Sequence, residues 1–280
     1  MALRSPIYLD SETLLAQAEY HDIELPRQED IVERTIRKRT GGGKIGMSGL
    51  GLDASAGTDV EHQTSYSLEP KEKATVSKVI DSLIKADAVK INLDGNAVLG
   101  KDDLVEIEGL TYITAASLAG KMFFIFRRLM DTVEGDLEAI FDLDANDLPV
   151  AEQLNQVYLR NELLPIPILL EMTGSRLLQK VYVNVRPDHF IGTASANRVE
   201  GDMRVLGTVS ALVPGGDDGF LSAEAWLLHD WEYLLRRKLM TQVEDVVRGM
   251  VKQFELDLPS ENVHSHITGP AIVVDAIALY

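Results

Sequence analysis

Apolar and polar residues follow two rhythms along this chain. Between Asp59 and Leu68 the sequence DVEHQTSYSL alternates: Val60, His62, Thr64, Tyr66 and Leu68 share one face, while Asp59, Glu61, Gln63, Ser65 and Ser67 share the other. That period of two predicts a strand. From Pro70 the period lengthens, and Val76, Val79, Ile80, Leu83 and Ile84 form a single apolar stripe at helical spacing. Val89, Ile91 and Leu93 alternate into an Asp-Gly turn, and LVEIEG (104–109) alternates again. Thr114 then caps a predicted helix to about Met130, with Leu118, Met122, Ile125, Phe126 and Leu129 inward. Ahead of these, Asp10 or Ser11 caps a short helix carrying Leu14, Leu15 and Ala18, and a second helix is expected over 28–38.

The second half repeats the mixture. A helix over 152–162 precedes IPILLEM and then LLQKVYVNV, whose Val181, Val183 and Val185 alternate, and MRVLGTVSALV is a strand candidate closed by the turn PGGDDG at 214–219. A long helix from Asp230 to Phe254 carries Leu234, Leu235, Leu239, Val243, Val246, Val247 and Met250 on one side. GPAIVVDAIALY (269–280) reads as a buried strand. The fold class predicted is a mixture of α and β, with strand-then-helix order occurring twice. We therefore expect two related units, 1–148 and 149–280, divided near the base-free acidic run Asp131–Asp147 and Pro149.

Composition narrows the classes. The chain has 280 residues, 45% of them hydrophobic, enough for a sizeable core. No apolar run has the roughly 18 residues of a spanning helix. The segment Leu118–Leu129 is broken by Gly120, Lys121, Arg127 and Arg128. The start, MALRSPIYLD, lacks the apolar core of a signal peptide, which predicts a cytoplasmic protein. There is no cysteine, which removes disulfides, thiolate nucleophiles and Cys-type metal sites together. A formal charge of −17 argues against nucleic acid as a partner, although Arg34, Arg37, Lys38, Arg39 and Lys44 form one basic cluster.

Candidate chemistry centres on GGGKIGMSGLGLDASAG (41–57), seven glycines in seventeen residues. As a phosphate-binding loop it fails: Ile45 follows Gly43-Lys44 where a hydroxyl is needed, and Lys38 stands in place of the first glycine. Gly49-x-Gly51-x-x-Ala54 matches a dinucleotide pattern, but its flanks read as neither a buried strand nor a helix. A hairpin with 59–68, or a glycine-rich loop, explains more residues. Two alternatives follow from this stretch: a small-molecule or nucleotide site with Lys44, Gly49 and Gly51, or a hairpin that meets anionic lipid. Trp226 and Trp231 are the other candidate ligand-binding residues, set in WLLHDW, where one helical turn also suits core packing.

Metal and catalytic templates each lack a part. His264-x-His266 would place two imidazoles on one strand face, with Asp188 or His189 as a third ligand, but no H-E-x-x-H occurs. Asp142, Asp144 and Asn146 mimic a calcium loop that has Asp147 where glycine belongs and Gln153 where glutamate belongs. G-x-S-x-G is absent, and Ser195 with His189 and Asp188 supplies only the residue types of a triad. No catalytic residue, metal or cofactor is assigned.

Tyr8-Leu9-Asp10, Val205-Leu206-Gly207-x-Val209, and Gly269-Pro270-Ala271-Ile272 running to Ile277-Ala278-x-Tyr280 resemble a family of uncharacterised bacterial proteins. Its members also carry a Lys/Gly/Ser-rich segment after the first helix. The resemblance implies a bacterial origin, an α/β mixture and a setting in accessory gene clusters, phage defence among them; it supplies no catalytic residues. The function expected is that of a non-enzymatic sensor, adaptor or regulatory protein whose partner is another protein or a further copy of itself, with membrane contact as the lesser alternative.

Overall fold

The computed structural model describes residues 4–23, 70–132, 164–192, 195–216, 219–229, 231–254 and 265–280. The glycine-rich stretch, the alternating segment 59–68, the helices expected over 28–38 and 152–162, and the acidic run beyond Thr132 lie outside them.

The elements are β1 (Tyr8–Leu9), α1 (Ser11–Tyr20), α2 (Pro70–Lys85), β2 (Leu104–Ile113), α3 (Ala115–Thr132), β3 (Ile168–Thr173), β4 (Lys180–Val185), β5 (Gly201–Val213), β6 (Phe220–Ser222), α4 (Glu224–Leu227), α5 (Tyr233–Met240), α6 (Val243–Phe254), β7 (His266–Thr268) and β8 (Ala271–Leu279). The α and β mixture expected from the sequence is the class observed.

Five of the strands close on themselves. The order is β8–β4–β3–β2–β5, and β5 returns to pair with β8. Every pairing is antiparallel except β4 with β8. Counted within the ring, the order is first, second, third, fifth, fourth, with the third and fifth parallel. That is the connectivity of the Greek-key barrel called the OB-fold. Strands from either side of residue 148 are therefore neighbours in one sheet, and the two expected units share a single barrel.

Alternation along each strand sends one set of side chains inward. Val105 and Ile107, Ile168 and Leu170, Val181 and Val183, Val205 and Val209, and Ile272 and Val274 fill the interior. Two outer faces are buried as well. On one, Leu104, Leu206, Ile277 and Ala278 pack beneath Leu14 and Ala18 of α1 and the stripe Val76, Val79, Ile80 and Leu83 of α2. On the other, Leu169, Tyr182 and Val273 lie under Met122, Phe123 and Phe126 of α3, with Trp226, Trp231, Val243 and Val247 completing the layer. Each fully buried aliphatic or aromatic side chain contributes roughly 1.5–3 kcal/mol, so three such layers suit a chain with no disulfide.

Local chemistry sets the joints. Asp10 caps α1 by accepting from the Thr13 amide at 3.0 Å and its hydroxyl at 2.8 Å. Thr114 accepts from the Ser117 amide at the head of α3. The register of β5 on β8 shifts between Leu206 and Gly207. At Gly207 a Cβ would lie 2.5 Å from the Asp275 carbonyl oxygen, so glycine permits the strands' close approach.

Two expectations need correction. The long helix over 230–254 is two helices, α5 and α6, parted at Thr241 and Gln242, where the last turn of α5 tightens as Gln242 N–H donates to Leu239 O and the Thr241 hydroxyl donates to the Lys238 carbonyl at 2.7 Å. Residues 89–93 form no strand beyond a bridge from Lys90 to Val105. Asn92 takes a left-handed φ of 53°, and Asp94 closes a turn by accepting from the Asn96 amide.

Candidate functional site

Among the described residues, an outer stretch clear of both helical covers lies where β2 and β5 run side by side. Glu106 and Glu108 point outward from β2, and Asp202 and Arg204 from β5, with Glu108 opposite Arg204 in the register. Asp81, Ile84 and Lys85 of α2, the 91–93 loop and the 174–177 turn form the walls. The result is a two-lobed groove. Its inner lobe, of about 470 Å³, takes in Lys85, Ile91, Leu93, Arg176 and Leu177. Its outer lobe, of about 770 Å³, takes in Ser5, Asp202, Met203 and Tyr280. Arg4, Asp81, Glu108, Gly174 and Arg204 border both.

The floor is a chain of opposite charges. Ser77 and Asp81 stand one turn apart on α2; Ser77 Oγ accepts from the Arg4 amide at 2.9 Å, and Asp81 accepts from the Arg4 guanidinium at 2.5 Å. Glu106 lies 3.8 Å from Arg4 and 3.8 Å from Arg204, and accepts from the Tyr280 hydroxyl. Arg204 reaches Glu108 at 2.6 Å. Arg4 also lies over the Tyr280 ring, 5.4 Å from its centroid. The side chains of Arg4, Asp81 and Glu106 are only 12–16% exposed, whereas Arg204 is 46% exposed.

Electrostatics follow from that geometry. Burial works against the Arg4 charge, yet the Asp81 hydrogen bond and the Tyr280 and Asp81 interactions outweigh it and raise its pKa. Burial, then the bond to Glu106, pushes the Tyr280 phenol well above its ordinary value, with Arg4 pulling the other way. Each floor carboxylate has an arginine within 4 Å. The floor is thus an ion-paired network, three carboxylates shared by two arginines with one negative charge in excess, rather than a lone acid poised to move a proton. At the rim the balance is open: Lys85, Arg176 and Asp202 are exposed and belong to no ion pair among the described residues.

The residues singled out from sequence lie elsewhere. Lys44, Gly49 and Gly51 are outside the described residues. Trp226 and Trp231 sit 7% and 9% exposed in the layer under α3. The Trp226 indole donates to Asn184 Oδ1 at 2.9 Å; Trp231 meets Phe123 edge-on at 6.4 Å and lies beneath Arg127. His264 is outside the described residues, and His266 on β7 contacts Ser265 and the Phe220 ring. His189 is buried, 3.6 Å from Asp188 and 3.9 Å from Asp10, while the Ser195 hydroxyl donates to Asn197. Among the described residues, no group of three or more His, Asp or Glu could hold a metal ion, and no helix is long and apolar enough to cross a membrane.

Sequence reasoning missed the groove. Its signal was the charged outward positions of LVEIEG and of Gly201–Arg204, acids and bases facing each other once β2 and β5 are paired.

The model of one family, described as a domain of unknown function (DUF6414), matches residues 3–280. The chain belongs to that family. No curated protein matches this DUF6414 chain, and no solved structure does. Barrel connectivity by itself carries no function. In this DUF6414 barrel the outer face of the second and third strands, which in OB-folds binds oligonucleotides or oligosaccharides, lies under α3 and α4 instead.

Proposed function

We propose that the protein is a non-enzymatic sensor, adaptor or regulatory protein that engages its partner, another protein, through the groove between β2 and β5. The observation that carries this reading is the rim: Lys85, Arg176 and Asp202, in no ion pair among the described residues, stand exposed around a concave floor whose own charges are already ion-paired. An ion-paired floor with open charges at its edge suits recognition, where exposed charges steer encounter and fix register. Chemistry would call instead for an unpaired acid, base or nucleophile. A cytoplasmic setting, and membership of a bacterial accessory or phage-defence gene cluster, are part of the same proposal.

The test is capture from a lysate of the native host with purified wild-type protein and with Arg204→Glu, which places like charge against Glu106 and Glu108. A stoichiometric partner retained by wild type and lost by a folded Arg204→Glu supports the reading. No partner, or one held equally by both proteins, overturns it.

A further inference from the structure

The open charges of the groove differ in sign from one end to the other. The inner lobe presents Lys85 and Arg176 beside the apolar surface of Ile84, Ile91 and Leu177, and Ile91 is 39% exposed. The outer lobe presents Asp202 beside Met203. Between them lies the floor network, in which Arg4 and Arg204 already hold Asp81, Glu106 and Glu108. A ligand gains little from the centre and most from the ends.

Spacing restricts what can touch both ends. Asp202 and Arg204 face the same way on β5, two residues and so about 7 Å apart, and Arg176 and Lys85 lie beyond Arg204 in the inner lobe. A free amino acid, whose ammonium and carboxylate share one carbon, does not span that distance. An extended peptide does, at roughly 3.3 Å per residue. Resting on the partner-binding reading above, we propose that the groove recognises an extended peptide segment by its charge order: a basic side chain at Asp202, and an apolar then an acidic residue at Ile91, Arg176 and Lys85. The planar Arg176 guanidinium suits a carboxylate, and Lys85 adds a second, mobile cation.

The probe is the hexapeptide Lys-Ala-Ala-Ser-Leu-Glu, acetylated and amidated so that only side-chain charges differ from its swapped counterpart Glu-Ala-Ala-Ser-Leu-Lys. Calorimetric titration into the full chain should show the first binding at least about ten-fold tighter than the second. The variant Lys85→Glu/Arg176→Glu/Asp202→Lys should reverse that preference. Should it fail to fold, Asp202→Asn alone should narrow the ratio. Equal affinities, no heat from either peptide at millimolar concentration, or a preference unmoved by the variants overturns the proposal. The two readings fail separately. A host partner lost on Arg204→Glu without charge-ordered peptide binding leaves the adaptor reading and removes this one. Ordered peptide binding with no host partner does the reverse.

Discussion

Replacing Gly120 by alanine sets two physical effects against each other. Gly120 lies inside α3, where alanine is intrinsically favoured over glycine by about 1 kcal/mol. If local propensity decided, the variant would be more stable. The fold argues otherwise, because a Cβ at Gly120 would stand 2.1 Å from the Trp226 carbonyl oxygen, well inside the 3.4 Å at which ordinary contact begins. The obstacle is the backbone of α4, which cannot swing aside like a side chain. Overpacking of this kind costs roughly 1–3 kcal/mol. After the propensity gain is set against the upper part of that range, Gly120→Ala should lose about 1–2 kcal/mol. Gly249 on α6 is the control, since a Cβ there meets nothing within 4 Å. Gly249→Ala should gain about 0.5–1 kcal/mol. Urea unfolding reads both through tryptophan fluorescence, because Trp226 and Trp231 lie in the layer under test. Unchanged m-values would license the comparison. If Gly120→Ala is stabilised as much as Gly249→Ala, α3 and α4 do not clamp together over the barrel as described.

Three further outcomes follow from single groups. Ser117 takes the place of a strand neighbour for Leu169, its hydroxyl accepting from the Leu169 amide at 2.7 Å and donating to the Leu169 carbonyl at 3.1 Å; Ser117→Ala should cost about 1–3 kcal/mol in the same urea assay. The buried Thr111 hydroxyl donates to Val199 O at 2.6 Å, so Thr111→Val, nearly isosteric, should lose a similar amount and loosen the 195–201 turn in hydrogen exchange. Burial raises the Glu171 carboxyl, with Lys180 opposing, and with Glu171 charged it helps push Tyr182 up to about 12. A carboxyl raised on folding disfavours the folded state wherever it is ionised and not below its unfolded pKa. Glu171→Gln should therefore raise Tm at about pH 8, and the gain should vanish by about pH 4. A constant difference across that range would refute the assignment.

Much of the strand and helix content was legible from periodicity. The stripe Val76–Leu83 and the alternating Val181, Val183 and Val185 are buried where their periods put them. Closure was not. The apolar run of β8, buried on both faces, does not tell which strands flank it, and β8 takes β4 on one side and β5 on the other. The split within 230–254 falls at Thr241 and Gln242, where an apolar stripe running through both helices conceals it. The groove was hidden for a related reason. Arg4, Asp81, Glu106 and Arg204 are scattered along the chain and become a site only once α2, β2 and β5 are assembled. The tryptophans, prominent in sequence, are packing residues in the fold, and the glycine-rich stretch lies outside the described residues.

The most direct test of the groove as the contact surface is site-specific photo-crosslinking in the native host. A benzoylphenylalanine at Ser5, exposed at the edge of the outer lobe, is compared with one at Tyr233, 57% exposed on α5 and away from the groove. A discrete adduct of higher mass is expected from position 5 and none from 233. An adduct from 233 alone, the same adduct from both, or none from position 5 would contradict the groove as the contact surface.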